Sequence, residues 1–245
     1  MKKVLLTTLL FLVSFSLAQT VDEILDKVEA NEEAKSAKIE MTQIVYTASG
    51  EERKSNLLSY SKDKGDKGLM EYLKPARIKG MKILMLNDGD DIWLYSPRTS
   101  RVRKIASHQK NQSVNGSDFS YDDMSAKDMR KDYNPQLLGE EELEGKKCFK
   151  LLMTAKDEDK TYSKSISWID KSNYVLVKSE MYDEDKKLWK VLKMSDVSKV
   201  GNYWTPKSIE MKNVQKGSRT LMTMDKIEYD LPLKDNIFSE RNLKR

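Results

Sequence analysis

Short segments with a two-residue hydrophobic period recur along most of the chain, and this repetition constrains the fold more than any other feature of the sequence. In residues 161–170, Tyr162, Ile166 and Trp168 alternate with serines, as expected for a strand with one bulky and one polar face. Short turn signals separate successive segments and favour antiparallel pairing. A sheet of about eleven such strands must curl or close. The sequence therefore predicts an α+β fold built on a strongly curved antiparallel sheet.

A helix is predicted before the first strand. Thr20 and Glu23 have the spacing of a capping box, in which each residue bonds the backbone of the other. The apolar residues that follow recur at helical spacing: Val21, Ile24, Leu25 and Val28. We expect an amphipathic helix that ends near Lys35 and lays its apolar face on the sheet.

Residues 91–124 place a strand, a turn and a basic strand next to one another. Aromatic and branched residues at 92–95 are typical of a strand, and Pro97 ends it because proline offers no amide donor to the ladder. Residues 101–105, with the sequence RVRKI, are predicted to form the basic strand.

A second helix is predicted after a polar loop at residues 111–116 (NQSVNG). Asp118 is expected to cap it, and Ser120 and Asp123 again have capping-box spacing. Arg130 and Lys131 suit the C-terminal end of the helix dipole. This helix and the N-terminal one are expected to cover the sheet.

The motifs DIWLYSP (91–97), RVRKI and GSDFSYDDM (116–124), together with Pro75, Lys79-Gly80 and YWTP (203–206), closely resemble the bacterial outer-membrane lipoprotein-sorting-protein family of LolA-like periplasmic carriers. The resemblance covers nearly all of the chain after the predicted signal peptide. It implies an unclosed half-barrel, capped by about two or three helices over an apolar cavity. It also implies a role in handling lipids or lipid-modified proteins.

The N-terminus is typical of an export signal. A basic start and an apolar run at residues 4–17 precede small residues that suit cleavage after Ala18. The run is shorter than the roughly 20 apolar residues that span a bilayer. We therefore expect residues 1–18 to be removed, leaving residues 19–245 as one soluble periplasmic domain without an internal linker. The sole cysteine, Cys148, can form no intramolecular disulfide and accept no N-terminal lipid.

The charge pattern indicates a solvated surface rather than a nucleic-acid site. Charged residues make up 34% of the chain and give a net charge of +5, with acids interspersed among the bases. Such a surface favours transient contact with anionic lipid headgroups. Together with the export signal, it argues against nucleic acid as a partner, and we expect a monomer.

No residues point to an enzyme, a cofactor or a metal centre. His108 is the only histidine and lies in a polar loop, where solvent exposure is expected. Cys148 lies mid-strand, and the chain lacks the Gly-x-Ser-x-Gly frame of hydrolases. Asp118, Asp122 and Asp123 form an acidic cluster, for which helix capping is a better explanation than a cation site. Whether the cluster also binds a cation stays open.

The apolar residues suggest a ligand cavity. The chain has 13 methionines, many on strands, whose flexible side chains suit ligands of varied shape. The predicted lining residues are Met70, Tyr72, Ile83, Met85, Trp93, Tyr95, Ile166, Trp168, Met222 and Met224. Phe119, Tyr121 and Met124 are assigned to a movable cap.

Two functions remain open at this point. The first is a periplasmic carrier that binds acyl chains of lipoproteins or lipids in an apolar cavity and moves them toward the outer membrane. The second is a non-enzymatic interaction protein with a filled interior that serves a lipid-exporting inner-membrane transporter. Arg101, Arg103 and Lys104 could contact a partner or lipid headgroups, or simply form a charged sheet edge that prevents aggregation.

Overall fold

The computed structural model describes residues 19–32, 34–125 and 129–244. The predicted signal peptide lies outside these residues. In the described part of the chain, none of the helices combines the length and hydrophobicity needed to cross a membrane. The helices are α1 (Val21–Glu32), α2 (Met129–Asp132) and α3 (Glu240–Leu243). The strands are β1 (Ser36–Tyr46), β2 (Glu52–Lys62), β3 (Lys67–Lys74), β4 (Lys82–Leu86), β5 (Asp91–Ser96), β6 (Arg101–Lys104), β7 (Tyr133–Leu143), β8 (Lys146–Ala155), β9 (Lys164–Asp170), β10 (Leu176–Tyr182), β11 (Leu188–Val200), β12 (Tyr203–Asn213) and β13 (Ser218–Tyr229).

The described residues form one open sheet of 13 strands, in which every ladder is antiparallel. Its order is β6-β5-β4-β3-β2-β1-β13-β12-β11-β10-β9-β8-β7. The first strand therefore pairs with the last, and β6 and β7 form the two edges. The predicted half-barrel architecture is confirmed, although the sheet has more strands than the predicted eleven.

Strand β7 was not predicted from the sequence. It contains Pro135, a register shift between Leu137 and Gly139, and three consecutive glutamates. These residues are poor strand formers in the middle of a sheet. They are tolerated in β7 because an edge strand has one unpaired side.

The N-terminal helix forms as its capping box predicts, but it ends at Glu32 rather than near Lys35. The Thr20 amide donates to Glu23 Oε2 at 3.0 Å, and the Glu23 amide donates to Thr20 Oγ1 at 3.3 Å. Ile24 is fully buried and packs against Phe149 and Leu151 of the sheet. The amphipathic helix therefore covers the β7 end of the sheet.

One face of the sheet is covered by α1 and by residues 105–124, and we call it the inner face. Directly paired residues lie on the same face, so Leu151, beneath α1, shares its face with Ser167, Ser179, Leu192 and Met211. Met211 belongs to the cluster that residues 105–124 contact. The helix and this segment thus cover different parts of one surface.

The opposite, outer face is covered near β2–β5 by the C-terminal tail. Phe238 and Leu243 are buried there against Leu69 and Leu84. The tail forms a 3-10 turn at Asp235–Ile237 and helix α3. The protein consequently buries apolar side chains on both faces of the sheet.

Candidate functional site

Residues 105–124, which we call the cap segment, follow β6 and cross the inner face. The Ile105 amide still donates to the Ile92 carbonyl of β5 at 2.8 Å, and the rest of the segment lies outside the named strands. Ile105, Val114, Phe119 and Tyr121 are buried, and Met124 is half-buried. They pack against one inner-face cluster whose buried strand residues are Met41, Leu57, Tyr72, Ile83, Met85, Ile92, Met181, Met211 and Met222. The cap segment therefore covers an apolar, methionine-rich surface.

Asp118 holds the tip of the cap segment to β13. Its carboxylate accepts hydrogen bonds from Ser218 Oγ at 2.5 Å and from Thr220 Oγ1 at 2.7 Å. The Asp118 amide donates to Thr220 Oγ1 at 2.9 Å. Because Asp118 and Thr220 are buried, these bonds exclude water and fix the tip in register with the sheet.

Asp123 holds the other end of the cap segment to β11. Its Oδ2 lies 2.7 Å from Lys190 Nζ, and both side chains are nearly inaccessible, at 6% and 4% exposure. Oδ1 accepts the Tyr162 hydroxyl at 2.5 Å. Burial, reinforced by this carboxylate, raises the pKa of Tyr162 well above its ordinary value. The Lys190 ammonium also lies 4.9 Å from the ring centroid of Trp189, which adds a cation–π contact.

Gly116 allows the tip of the cap segment to approach β2. Its φ is +70°, and an added Cβ would lie only 3.2 Å from Arg53 Nη1. Arg53 Nη2 donates to the Gly116 carbonyl at 3.3 Å. A larger residue would be strained and would press on the guanidinium, which explains the glycine at the start of GSDFSYDDM.

The comparisons with known proteins agree with this architecture. A family model described as "uncharacterized protein" matches residues 64–245. A solved domain assigned to an outer membrane lipoprotein-sorting protein from Vibrio parahaemolyticus is 29% identical, with a TM-score of 0.85 over 91% of this chain and 97% of that one. The chain belongs to the family of that model and shares its fold with the solved lipoprotein-sorting domain.

Two further solved structures are similar to this family member. A DUF1329 family protein from Desulfovibrio piger is 27% identical, with a TM-score of 0.84 over 91% of this chain and 98% of that one. A LolA superfamily protein from Nitrosomonas europaea has a TM-score of 0.76 and 22% identity over 92% of this chain and 100% of that one, and shares the fold. No curated protein matches the chain. The fold is thus shared with a lipoprotein-sorting domain and with a LolA superfamily protein.

The family motif GSDFSYDDM does not begin an α-helix, so the prediction of a helix capped by Asp118 is wrong. Its backbone forms turns and one 3-10 turn at Asp122–Met124. Instead of capping a helix, the Asp118 carboxylate accepts hydrogen bonds from the Ser218 and Thr220 hydroxyls of β13. The Ser120–Asp123 capping box is present, with reciprocal bonds of 2.8 and 3.1 Å. Arg130 lies in the separate helix α2 and pairs with Asp26 and Glu29 of α1.

The acidic cluster is already engaged with protein groups. Asp122 Oδ2 accepts Thr161 Oγ1 at 2.8 Å, while Asp118 and Asp123 bind the partners described above. Within the described ranges, no three His, Cys, Asp or Glu side chains are grouped closely enough to hold a metal ion.

Six of the ten predicted lining residues share the inner face. Met70, Tyr72, Ile83, Met85, Met222 and Met224 all belong to or pack against the cluster that contains Phe119, Tyr121 and Met124. The structure therefore brings the predicted cap residues and these six lining residues together in one contact surface.

The other four predicted lining residues lie on the outer face, apart from those six. Trp93 and Tyr95 pack with Leu84 beneath the C-terminal tail. Ile166 and Trp168 pack with Cys148, and the Trp168 ring lies between Lys150 and Lys178. Their bulk follows the predicted two-residue period, but the period does not tell which face the cap segment covers.

The predicted contact residues lie on an exposed sheet edge. Arg101, Arg103 and Lys104 are all exposed on the edge strand β6. Lys104 forms an ion pair with Asp91, and its ammonium lies 5.2 Å from the Trp93 ring centroid. Arg103 lies close enough to Tyr121 of the cap segment to oppose the rise in the pKa of Tyr121 caused by burial.

His108 and Cys148 lie in different surroundings. His108 is exposed in a 3-10 turn at Ser107–Gln109. Cys148 is buried in β8, and burial raises the pKa of its thiol. A thiol with a raised pKa is a weak nucleophile at neutral pH.

Lys190 was missed by sequence reasoning, although the sequence carries a signal for it. Lys190, Leu192 and Met194 occupy alternate positions of one strand, so a lysine shares the inward side with apolar residues. A buried lysine requires an anionic partner, and the structure supplies it as Asp123.

Proposed function

We propose that this protein is an exported periplasmic carrier that binds the acyl chains of lipoproteins or lipids against the inner face and moves them toward the outer membrane. Its kinship with an outer membrane lipoprotein-sorting protein domain supports the sorting role. No covalent chemistry is required, because burial of acyl surface contributes about 25 cal/mol per Å².

The observation that carries the proposal is the construction of the cap segment. It covers the apolar inner face, and after the Ile105 amide, which donates to the Ile92 carbonyl, it belongs to none of the sheet ladders. Residues 106–124 can therefore withdraw without breaking the sheet. Its two ends are held by buried side-chain bonds at Asp118 and Asp123. Cargo would replace the apolar contacts of Phe119, Tyr121 and Met124 with acyl contacts to the same methionines.

Loading and release require contact with a membrane or a protein partner. The exposed basic edge at β6 offers Arg101, Arg103 and Lys104 for transient contact with anionic headgroups or with an inner-membrane transporter. We propose that the carrier works as a monomer in this cycle.

The second candidate function, an interaction protein accessory to a lipid-exporting transporter, is favoured by the closed state of the inner face. Tyr72, Ile83 and Ile92 are fully buried beneath their neighbours, which is the packing expected if the interior is never emptied. The two proposals differ in whether the cap segment ever leaves.

Native mass spectrometry of protein purified gently from the periplasm, followed by solvent extraction, tests the proposal. A bound phospholipid or acylated protein is the expected result and would identify the cargo. An apo mass that does not change after incubation with phospholipid vesicles or a diacylated lipopeptide would contradict the carrier function and favour the accessory protein.

A further inference from the structure

The closed inner face contains polar atoms without partners. Four buried side-chain nitrogen or oxygen atoms of the described residues make no hydrogen bond: Gln43 Nε2, Arg53 Nε, Tyr72 Oη and Trp168 Nε1. Trp168 lies on the outer face. The other three lie on the inner face, and each of them can donate a hydrogen bond.

Strand register places the two neutral donors close to each other beneath the cap segment. Tyr72 is paired with Leu57, and Leu57 with Met41, while Gln43 follows two residues later on the same face of β1. The two Cα positions are thus about 12 Å apart across β2, from the spacing of strands and of residues along them. Gln43 is 1% exposed and Tyr72 is fully buried.

The Tyr72 hydroxyl faces the cap segment. Two cap residues, Asn115 and Tyr121, lie close enough to influence its pKa, but neither makes a hydrogen bond of normal geometry with it. Burial raises the pKa of Tyr72, so the phenol stays protonated and remains a donor at neutral pH. Withdrawal of the cap segment would turn this hydroxyl toward the space that the cap vacates.

Unpaired buried donors are disfavoured, and structures seldom contain them without a reason. Phenylalanine and methionine would fill the same space at these positions without that cost. Hydrocarbon chains would leave both donors unpaired, whereas a ligand that brings carbonyl oxygens to this depth would pair them. The inner face is therefore suited to a ligand with acceptors close to its acyl chains.

We propose that Tyr72 and Gln43 bind the ester carbonyls of a diacylglyceryl group, so that the protein selects acyl esters over plain hydrocarbon. This inference rests on the proposed carrier function and specifies its ligand. A diacylglyceryl group carries two ester carbonyls and can offer an acceptor to each donor. The same group occurs in glycerophospholipids and in diacylated lipoproteins, so both sources share this chemistry.

The test compares a diester phosphatidylglycerol with its diether analogue, which has the same chains and headgroup but no carbonyls. Wild-type protein should bind the diester about fivefold to a hundredfold more tightly, the range expected for two neutral hydrogen bonds. The double variant Tyr72→Phe/Gln43→Met should bind the diester and the diether with equal affinity. Tyr95→Phe, on the outer face, is the matched control and should keep the preference.

A diacylated lipopeptide added in a parallel titration distinguishes the sources, since the tighter wild-type ligand identifies the natural class. Equal affinity of wild-type protein for diester and diether, or a preference that the double variant retains, would overturn the ester site while leaving the carrier function intact. Failure of wild-type protein to bind any of the three lipids would overturn the carrier function itself.

Stability of the ligand-free protein gives a second readout. Because both donors lack partners in the closed state, Tyr72→Phe and Gln43→Met should not lower the midpoint of urea unfolding. A loss of stability in either variant would mean that the donor is already paired without ligand, which contradicts the premise of the site.

Discussion

At the scale of single residues, the negative charge of Asp123 balances the buried positive charge of Lys190. Asp123→Asn leaves the Lys190 ammonium buried without its counter-ion, and breaking a buried pair from one side costs about 3–5 kcal/mol. We expect the free energy of unfolding, measured with urea, to fall by that amount. Replacing Lys190 by methionine in the same chain should recover much of the loss, because no unpaired charge then remains.

The control for the Asp123 variant is Lys193→Met, on the same strand as Lys190. Lys193 pairs with Glu144, and the two side chains are 47% and 57% exposed. Exposed pairs contribute about 1 kcal/mol or less. A similar loss in both variants would show that the Asp123 pair is no more important than a surface contact.

The buried tyrosines should make the folded protein less stable at alkaline pH. Burial raises the pKa of Tyr133 to about 12, helped by nearby Asp122, Asp132 and Asp123, whereas an unfolded tyrosine has a pKa of about 10. Between these values the unfolded chain releases a proton that the folded chain retains, so stability falls as pH rises through that window. Urea unfolding at pH 9 and pH 11 should show this decline, and Tyr133→Phe should weaken it. An unchanged slope in the variant would assign the decline to other groups.

At the scale of elements, the hold on the cap segment can be loosened without touching the apolar surface. Thr220→Val keeps the shape but removes the hydroxyl that bonds the Asp118 carboxylate and amide. Losing a buried partner costs about 1–3 kcal/mol, so amides of residues 114–124 should exchange with deuterium roughly tenfold faster or more. Hydrogen-exchange mass spectrometry measures this, with the exposed Thr223→Val as control. Uniform acceleration across the sheet would mean that the cap segment does not open independently.

The C-terminal tail makes a purely structural contribution on the outer face. Leu243 is fully buried among Leu69, Leu84 and Phe238, and truncating a buried leucine to alanine costs about 2–5 kcal/mol. We expect that loss from Leu243→Ala in urea unfolding, with retained lipid binding. Leu138→Ala, at an edge position that is 45% exposed, should change stability by about 0.5 kcal/mol or less. Equal effects would contradict the docking of the tail.

Elements with local signals could be predicted from the sequence, whereas elements shaped by distant partners could not. The Thr20–Glu23 box started α1 as predicted because both residues act on adjacent backbone. Asp118 has the local signature of a cap but is recruited by Thr220, a residue 102 positions away. Similarly, β7 became a strand because the sheet edge accepts Pro135, although its composition argues against it.

At the scale of the whole molecule, the sheet has two covered faces with different covers. The alternation of Tyr162, Ile166 and Trp168 indicated a bulky face and a polar face, yet Tyr162 packs in the inner cluster and Trp168 on the outer face. Tyr162 precedes β9, so the period does not extend to it. The cap segment is held on the inner face by contacts between distant residues, such as Asp118 with Thr220 and Asp123 with Lys190, which no local pattern encodes.

If acyl chains bind only to the inner face, substitutions on the two faces should affect lipid binding differently. Met70 and Met224 are half-buried on the inner face beside the cap segment, and Ile166 is half-buried on the outer face. Met70→Gln and Met224→Gln should each weaken binding of a fluorescent diacyl phospholipid roughly fivefold, since each removes about 1 kcal/mol of acyl burial. Ile166→Gln should leave the affinity unchanged at a similar cost in stability. If the outer-face variant lost binding and the inner-face variants kept it, the acyl chains would have to lie on the face that the C-terminal tail covers, and the cap segment would not control access to them.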